Sequence, residues 1–428
     1  MKYVLTHVNI IDGYENHDIL YDYNIYINDN RIVRITPAVY ETFGFKVIDK
    51  TGYYCIPGLI NMHAHLFGSG KPSSILGGGK LQQLVIKYAQ TRKGREILDK
   101  IMMTNVKNAL YSGCTTVRGM GDFFGSDIEL RNKINNKEVI GPRLIVSGPA
   151  ITVPTGHGDG TFAMTGSNEE ELFEKTRINI RRDVDVIKIC ITGGVMDAKE
   201  KGEPGIVKMS LSQAKVICDE AHKRGLKVAS HTESPEGVKI AIDAGVDTIE
   251  HGSLIDPDSI VKAKQQGTSI ICTISPALPL AYLSPKLTKL NELCVYNSKI
   301  VLDNMINGAK TALEHNIPVG LGTDASCPFV THYNMWREIV YAQKHLNLTN
   351  KKALSIATVT NAKILGMDKD IGSLEQGKIA DIVLYKDNPL EDLTVLKNPD
   401  TVIASGQIYN KIKIRKNNKI EKHLDSLL

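Results

Sequence analysis

Pro57-Gly58-Leu59-Ile60-Asn61-Met62-His63-Ala64-His65 is the stretch on which the fold of this 428-residue chain turns. Tyr53, Tyr54, Cys55 and Ile56 lead into it and Leu59 and Ile60 continue the apolar run, so residues 55–62 read as one buried strand. Residues two apart in a strand point to the same side, so His63 and His65 can aim two imidazoles at one point. Imidazole is a common ligand for zinc and its neighbours. Two surface histidines at this spacing also arise by chance, so the pair gains meaning only from the rest of the chain.

Working outward, seven more apolar stretches read as strands: residues 115–118, 143–147, 184–191, 227–230, 248–250, 269–273 and 318–322. Amphipathic helices separate most of them. In residues 211–224, Ala214, Ile217, Cys218 and Ala221 recur at helical spacing and Gly225 closes the end. Residues 235–244 repeat the pattern with Val238, Ala241 and Ile242, closed by Gly245. Eight strand-then-helix units predict an α/β chain built as a (β/α)8 TIM barrel. An open doubly wound sheet is the alternative, but no Gly-x-Gly-x-x-Gly follows a strand. Two connections are long loops: residues 66–93, with Gly68, Gly70, Gly77, Gly78 and Gly79, and residues 274–290, with Pro276, Pro279 and Pro285. Both follow strand C-termini, the active-site side of a barrel.

The two ends of the chain read differently. Residues 4–11, 24–27 and 31–35 are short strands separated by turn chemistry, and residues 377–385, 400–405 and 407–414 are strand-like near the other end. Neither group closes a core alone, so they are expected to pair into one small β domain. The organisation predicted is residues 1–56 and 369–428 as the two parts of a β-sandwich, with the barrel at 57–368.

Apolar content of 42% and charged content of 23% suit a soluble globular enzyme. A net charge of +5 is small for this length and predicts no nucleic-acid partner. The basic run from Lys411 to Lys422 reads as a solvated tail. The N-terminus, interrupted by Thr6, His7 and Asn9, lacks the continuous apolar core of a signal peptide. No 18-residue apolar run predicts a membrane span. Seven scattered cysteines without Cys-x-x-Cys suit reduced core thiols in a cytoplasmic protein.

Polar residues gather at the expected strand ends: His63 and His65 on the first, His231 on the fifth, His251 on the sixth and Asp324 on the eighth. Each has an ordinary reading, a hydrogen-bonded core histidine or a helix-capping aspartate. Those readings leave their coincidence on one face unexplained. Lys188 sits inside an apolar strand, where an ammonium costs several kcal/mol unless neutralised or paired. Burial lowers its pKa and makes the amine nucleophilic. It can then react with carbon dioxide to give an anionic carbamate that bridges two metal ions, or form a Schiff base. Four histidines favour the metal reading.

The ensemble of Pro57 to His65, Ile187-Lys188-Ile189, Glu250-His251-Gly252, Gly322-Thr323-Asp324 and Gly377-Lys378-Ile379-Ala380-Asp381 resembles the amidohydrolase superfamily in its binuclear branch with a carboxylated lysine. Thr192-Gly193-Gly194-Val195-Met196 resembles the prolidase-like group, whose members hydrolyse Xaa-Pro dipeptides or remove C-terminal Arg or Lys. The resemblance implies two divalent ions, zinc by preference. His63, His65 and Asp324 would hold the more buried ion, His231 and His251 the more exposed one, with carboxylated Lys188 and a hydroxide as bridges. Asp324 would take the proton of the attacking water and pass it to the leaving nitrogen. His157, in Gly156-His157-Gly158-Asp159, would meet the substrate carbonyl or carboxylate. The group's members often form homo-oligomers.

One departure concerns specificity. Glu233 stands where peptidase relatives often carry Tyr or His to contact a substrate carboxylate, and a glutamate repels a carboxylate unless a cation lies between them. It is read as a substrate contact for a neutral or cationic group, or as the partner of Arg118, Arg224 or Lys239. Arg118, at the second strand's end, is read as an anion anchor in the barrel mouth or as a buried pairing partner. The function expected is metal-dependent hydrolysis of an amide C–N bond in a dipeptide or N-acyl amino acid. The alternatives are hydrolysis of a cyclic amide, as by imidazolonepropionase, or of a urea, lactone or phosphotriester. A non-catalytic metal-binding scaffold is the third class.

Overall fold

The computed structural model describes residues 2–73 and 80–428, which divide into two compact units. One unit comprises Met1–Asn61, Lys107–Val117 and Tyr333–Lys416. It carries an eight-stranded sheet in which N-terminal and C-terminal strands lie side by side. Ile382–Tyr385 runs antiparallel to Tyr54–Pro57 with Val383 opposite Ile56, and Thr401–Ala404 and Gln407–Tyr409 continue outward. Residues two apart line its core, as in Tyr3 and Leu5, Ile25 and Ile27, and Ile382 and Leu384. The expected pairing of the two ends is present. The described strands form a single sheet rather than two separately bonded ones, so the sandwich is not what the hydrogen bonding shows. The last strand also ends at Tyr409, short of the expected residue 414.

Residues 55–62 are not one strand. Tyr54–Pro57 belongs to the eight-stranded sheet, and the chain leaves it at Gly58 to begin Leu59–Ala64. A Cβ on Gly58 would lie 2.0 Å from Thr115 Oγ1, so the crossover accepts only glycine.

The second unit comprises Met62–Val106, Arg118–His332 and Asn417–Leu428. Its seven-stranded parallel sheet runs in the order Ala163–Thr165, Ala150–Thr152, Val186–Cys190, Lys227–Thr232, Thr248–His251, Ser269–Cys272 and Val319–Leu321. Leu59–Ala64, Cys114–Gly119 and Arg143–Val146 form a further three-stranded sheet. Seven of the eight expected stretches are single strands and the first is split at Gly58, while Ala150–Thr152 and Ala163–Thr165 are strands that the sequence pattern did not mark. The helices between them start and stop on the sequence signals. Leu211–Lys223 begins at Ser210, whose side chain makes a capping box with Gln213. Pro235–Ala244 has Ser234 as its cap, proline in the first turn, and Gly245 at φ 88° as its stop.

Three stretches differ from expectation. In residues 66–93, Gly77, Gly78 and Gly79 lie outside the described residues, and Lys80–Gln90 is helical. Residues 274–290 are largely helix, Ile274–Tyr282 and Pro285–Thr288. Pro276 falls in the first turn, where a backbone N–H has no intrahelical partner, so one proline costs the helix nothing there. The basic C-terminal run is only partly a tail. Asn417 caps a helix, Asn418–Asp425, that buries Ile420 and Leu424 against Leu283 and Phe329. No helix among the described residues is long and apolar enough to cross a membrane.

Candidate metal centre

The polar residues named from the sequence converge at the C-terminal ends of the parallel strands, all within the second unit. His63, His65 and Asp324 form one cluster, with His63 Nε2 and His65 Nε2 at 3.5 and 3.3 Å from Asp324 Oδ1. His231, Glu233 and His251 form a second. Strand register explains the second cluster. His231 pairs with Glu250 and Thr232 with His251, so neighbouring strands end level.

Alternation alone would turn His251 away from the side that Glu250 faces. His251 instead takes φ 68°, and Asp324 takes φ 54°. Left-handed backbone at non-glycine residues stores strain and concentrates at functional sites. Here it re-aims two chelating side chains. Gly322 gives the Asp324 turn its room, since a Cβ there would lie 2.5 Å from His63 Cβ and 2.6 Å from its N.

Each imidazole is held by its other nitrogen. His63 Nδ1 is 2.7 Å from Glu250 Oε2. His65 Nδ1 donates to the Gly121 carbonyl at 2.8 Å, and His251 Nδ1 hydrogen-bonds Thr273 Oγ1 at 2.7 Å. His231 Nε2 reaches the Gly193 carbonyl at 3.3 Å. This outer ring fixes tautomers and directs the remaining ring nitrogen of each inward, as metal-binding histidines require. Burial, joined by neighbouring positive charge, pushes His63 down to about 4 and His231 and His251 well below their usual value, so all three are neutral at pH 7 with lone pairs available.

Lys188 is 2% exposed, and its Nζ has no hydrogen-bond partner. Burial lowers its basicity, with Glu250 opposing and the Arg118 charge adding to the lowering. Its charge depresses His63 of the first cluster and His231 and His251 of the second, and Lys188 lines the same cavity as both clusters. An unpartnered buried amine and a buried Asp324 carboxylate beside four oriented imidazoles fit a pair of divalent ions well.

Arg118 is not at the mouth. Its Nη2 donates to Glu250 Oε1 at 2.6 Å, its Nη1 to Thr248 Oγ1 at 3.1 Å and its Nε to the Met62 carbonyl at 2.7 Å. It is 3% exposed and does not line the cavity, so the anion-anchor expectation is corrected to the pairing one, with Glu250 as partner instead of Glu233. The Arg118–Glu250–His63 relay was not read from the sequence. A signal existed, since Thr248 and Glu250 are two apart in a buried strand, with Arg118 in another.

His157 lies flat on His231, ring centroids 4.0 Å apart and planes at 7°, and its Nδ1 is 2.6 Å from Asp197 Oδ2. Burial opposes a charge on His157, but the Asp197 carboxylate outweighs it and raises the imidazole above its usual value. Asp197 was also missed. Glu233 Oε2 accepts from Val195 N at 3.0 Å, and burial, reinforced by Asp324 and Asp197, pushes its carboxyl up to about 7. None of Arg118, Arg224 and Lys239 pairs with it among the described contacts.

Above the clusters opens a cavity of about 1120 Å³ including its mouth, walled by Phe67, Phe123, Phe162, Leu280, Val301 and Met305. The sequence profile of the amidohydrolase family matches residues 54–409.

The chain belongs to the amidohydrolase family.

Among relatives of this amidohydrolase, ochratoxinase of Aspergillus niger is 26% identical over 372 residues, 81% of this chain and 73% of that protein. A solved structure from Bifidobacterium longum, provisionally described as a prolidase, is 34% identical with TM-score 0.87 over 100% of this chain and 98% of that one. A solved Xaa-Pro dipeptidase with methionine in its active site is 29% identical with TM-score 0.83, covering 96% and 100%. The chain is thus a hydrolase of a family that acts on small molecules at C–N bonds.

Proposed function

We propose that this amidohydrolase hydrolyses the amide C–N bond of a small substrate, of the dipeptide or N-acyl amino acid class, using two divalent ions. The observation that carries the reading is the unpartnered Lys188 Nζ on a side chain that lines the same cavity as both clusters. His63, His65 and Asp324 would hold one ion, His231 and His251 the other, and a Lys188 carbamate would span them. Such ions, when bound, lower the pKa of a shared water and polarise a carbonyl oxygen. Asp324, with one oxygen beside the imidazoles, would accept a proton from the attacking water and return it to the leaving nitrogen. His157, held by Asp197 and lining the cavity, would donate its remaining N–H to the substrate's carbonyl or carboxylate oxygen.

A closed (β/α)8 barrel is the architecture we infer for the second unit. Ala64 bridges Ala325 in parallel fashion and Asp185 N donates to the Val146 carbonyl, backbone links between the three-stranded and the seven-stranded sheet that support closure.

One observation favours a second substrate class. Among the described residues that line the cavity, Lys188 is the one Lys or Arg, while the walls are aromatic and aliphatic. Carboxylate-free amides and ureas fit such walls as well as dipeptides do. A library of dipeptides, N-acyl amino acids, their carboxamides and aryl ureas, presented to zinc-loaded protein prepared with bicarbonate, tests both. Release of amine from the first two sets supports the first class, and release from the last two alone supports the second. Two bound ions with no cleavage in any set refutes both.

A further inference from the structure

Each ligand cluster follows the same plan. An i, i+2 pair that straddles the end of one strand is joined by a single residue at or beyond the end of another: His63 and His65 with Asp324, then His231 and Glu233 with His251. Glu233 therefore occupies, in the second cluster, the place that His65 holds in the first. Its Oε2 is engaged by Val195 N, which fixes the carboxylate at the strand end and leaves its other oxygen. That oxygen, or its mate, lies within 4.8 Å of one nitrogen on each of His231 and His251. Ligand atoms around a tetrahedral ion with bonds of about 2.0–2.2 Å stand roughly 3.5 Å apart, so side-chain rotation over about an ångström closes the set.

No lysine or arginine pairs with Glu233 among the described contacts. That partly buried carboxylate, with no ion pair among the described contacts, is open to a cation. We propose that Glu233 is a ligand of the second ion rather than a substrate contact, completing a His231–Glu233–His251 site. The assignment rests on the two-ion reading above. It also balances charge: Asp324, Glu233, a Lys188 carbamate and one hydroxide together neutralise two divalent cations, whereas a centre without Glu233 keeps a net positive charge. One consequence is that substrate carboxylates lose the direct repulsion that an uncompensated Glu233 would exert.

The test is metal retention, read without turnover. Zinc-loaded wild type, Glu233→Gln, Glu233→Asp and His251→Ala are dialysed against a graded chelator series, and zinc per chain is measured. Glu233→Gln keeps the shape and the acceptor oxygen for Val195 N, and an unchanged melting temperature of its metal-free form checks the fold. The second zinc should leave Glu233→Gln at a free-zinc level roughly 10- to 100-fold higher than in wild type, at least the loss seen for weaker outer-shell changes. Glu233→Asp should fall between them. Cobalt-loaded Glu233→Gln should also show an altered visible absorption from one of its two ions. Retention curves and cobalt spectra that match wild type overturn the assignment and leave the two-ion reading standing. A wild type that binds one zinc, indifferent to both His251→Ala and Glu233→Gln, overturns both.

Discussion

Glu250 is the carboxylate on which the centre's geometry rests, and removing its charge gives a quantitative test. It is fully buried and accepts from Arg118 Nη2 and Thr248 Oγ1 at 2.6 Å each, while holding His63 Nδ1 at 2.7 Å. Burial opposes its ionisation, but the Arg118 guanidinium and His63 hold its carboxyl far below the usual range. Glu250→Gln leaves Arg118 buried without a counter-charge, a loss of about 3–5 kcal/mol. At about 2 °C per kcal/mol for a unit of this size, the metal-free protein should melt roughly 6–10 °C lower at neutral pH. Arg118→Met should cost a similar amount by orphaning Glu250. The double variant removes both charges, so its loss should fall short of the sum by at least about 2 kcal/mol. Because the folded-state pKa is depressed, the stabilisation is fully present above the ordinary glutamate value of about 4.3 and is lost as pH falls below it. The gap between wild type and Glu250→Gln should therefore narrow in acid. Zinc affinity at the His63 cluster should drop about 10- to 100-fold in the single variant, since His63 loses the partner that sets its tautomer. Differential scanning calorimetry at a fixed scan rate, on metal-free protein at pH 7 and pH 3.5, reads the first effects. Strictly additive losses, or a gap that ignores pH, would refute the relay.

Further outcomes are expected elsewhere. Lys188→Ala should lose zinc and activity, with short carboxylic acids restoring part of both by standing in for the carbamate; normal zinc content without them removes the bridging role. Gly322→Ala should destabilise by about 1–3 kcal/mol or more and weaken zinc binding, because its Cβ meets His63 backbone and Cβ atoms with no flexible end to yield. An unchanged chelator titration would show that the Asp324 turn has slack. Asp127 is fully buried beside Asp122, and burial raises its carboxyl to about 6. A raised folded-state pKa gives stability that is present below about pH 4 and lost as pH rises through 6, so wild type should lose part of its stability between those values and Asp127→Asn should not. Parallel melting-temperature profiles for the two proteins would contradict this.

The sequence by itself determined most of the parallel-strand positions, the helices 211–223 and 235–244 with their closing glycines, and five members of the two clusters, His63, His65, His231, His251 and Asp324. These are local properties: apolar runs, capping residues, and chelating side chains placed at strand ends. It also placed the family, through motifs that survive in order along the chain. What only the tertiary structure decided is where those side chains point and what holds them. The break at Gly58 depends on Thr115, and the helix after residue 273 forms despite its prolines. His251 and Asp324 are turned inward by left-handed backbone that alternation cannot foresee. Arg118 left the mouth because Glu250, 132 residues away, lies 2.6 Å from its guanidinium. Glu233, read from the sequence as a substrate contact, lies beside His231 and His251 because the adjacent strands that carry them end together, Thr232 pairing with His251. Pattern along the chain names the chemistry; register, backbone handedness and partners distant in sequence choose which atoms meet.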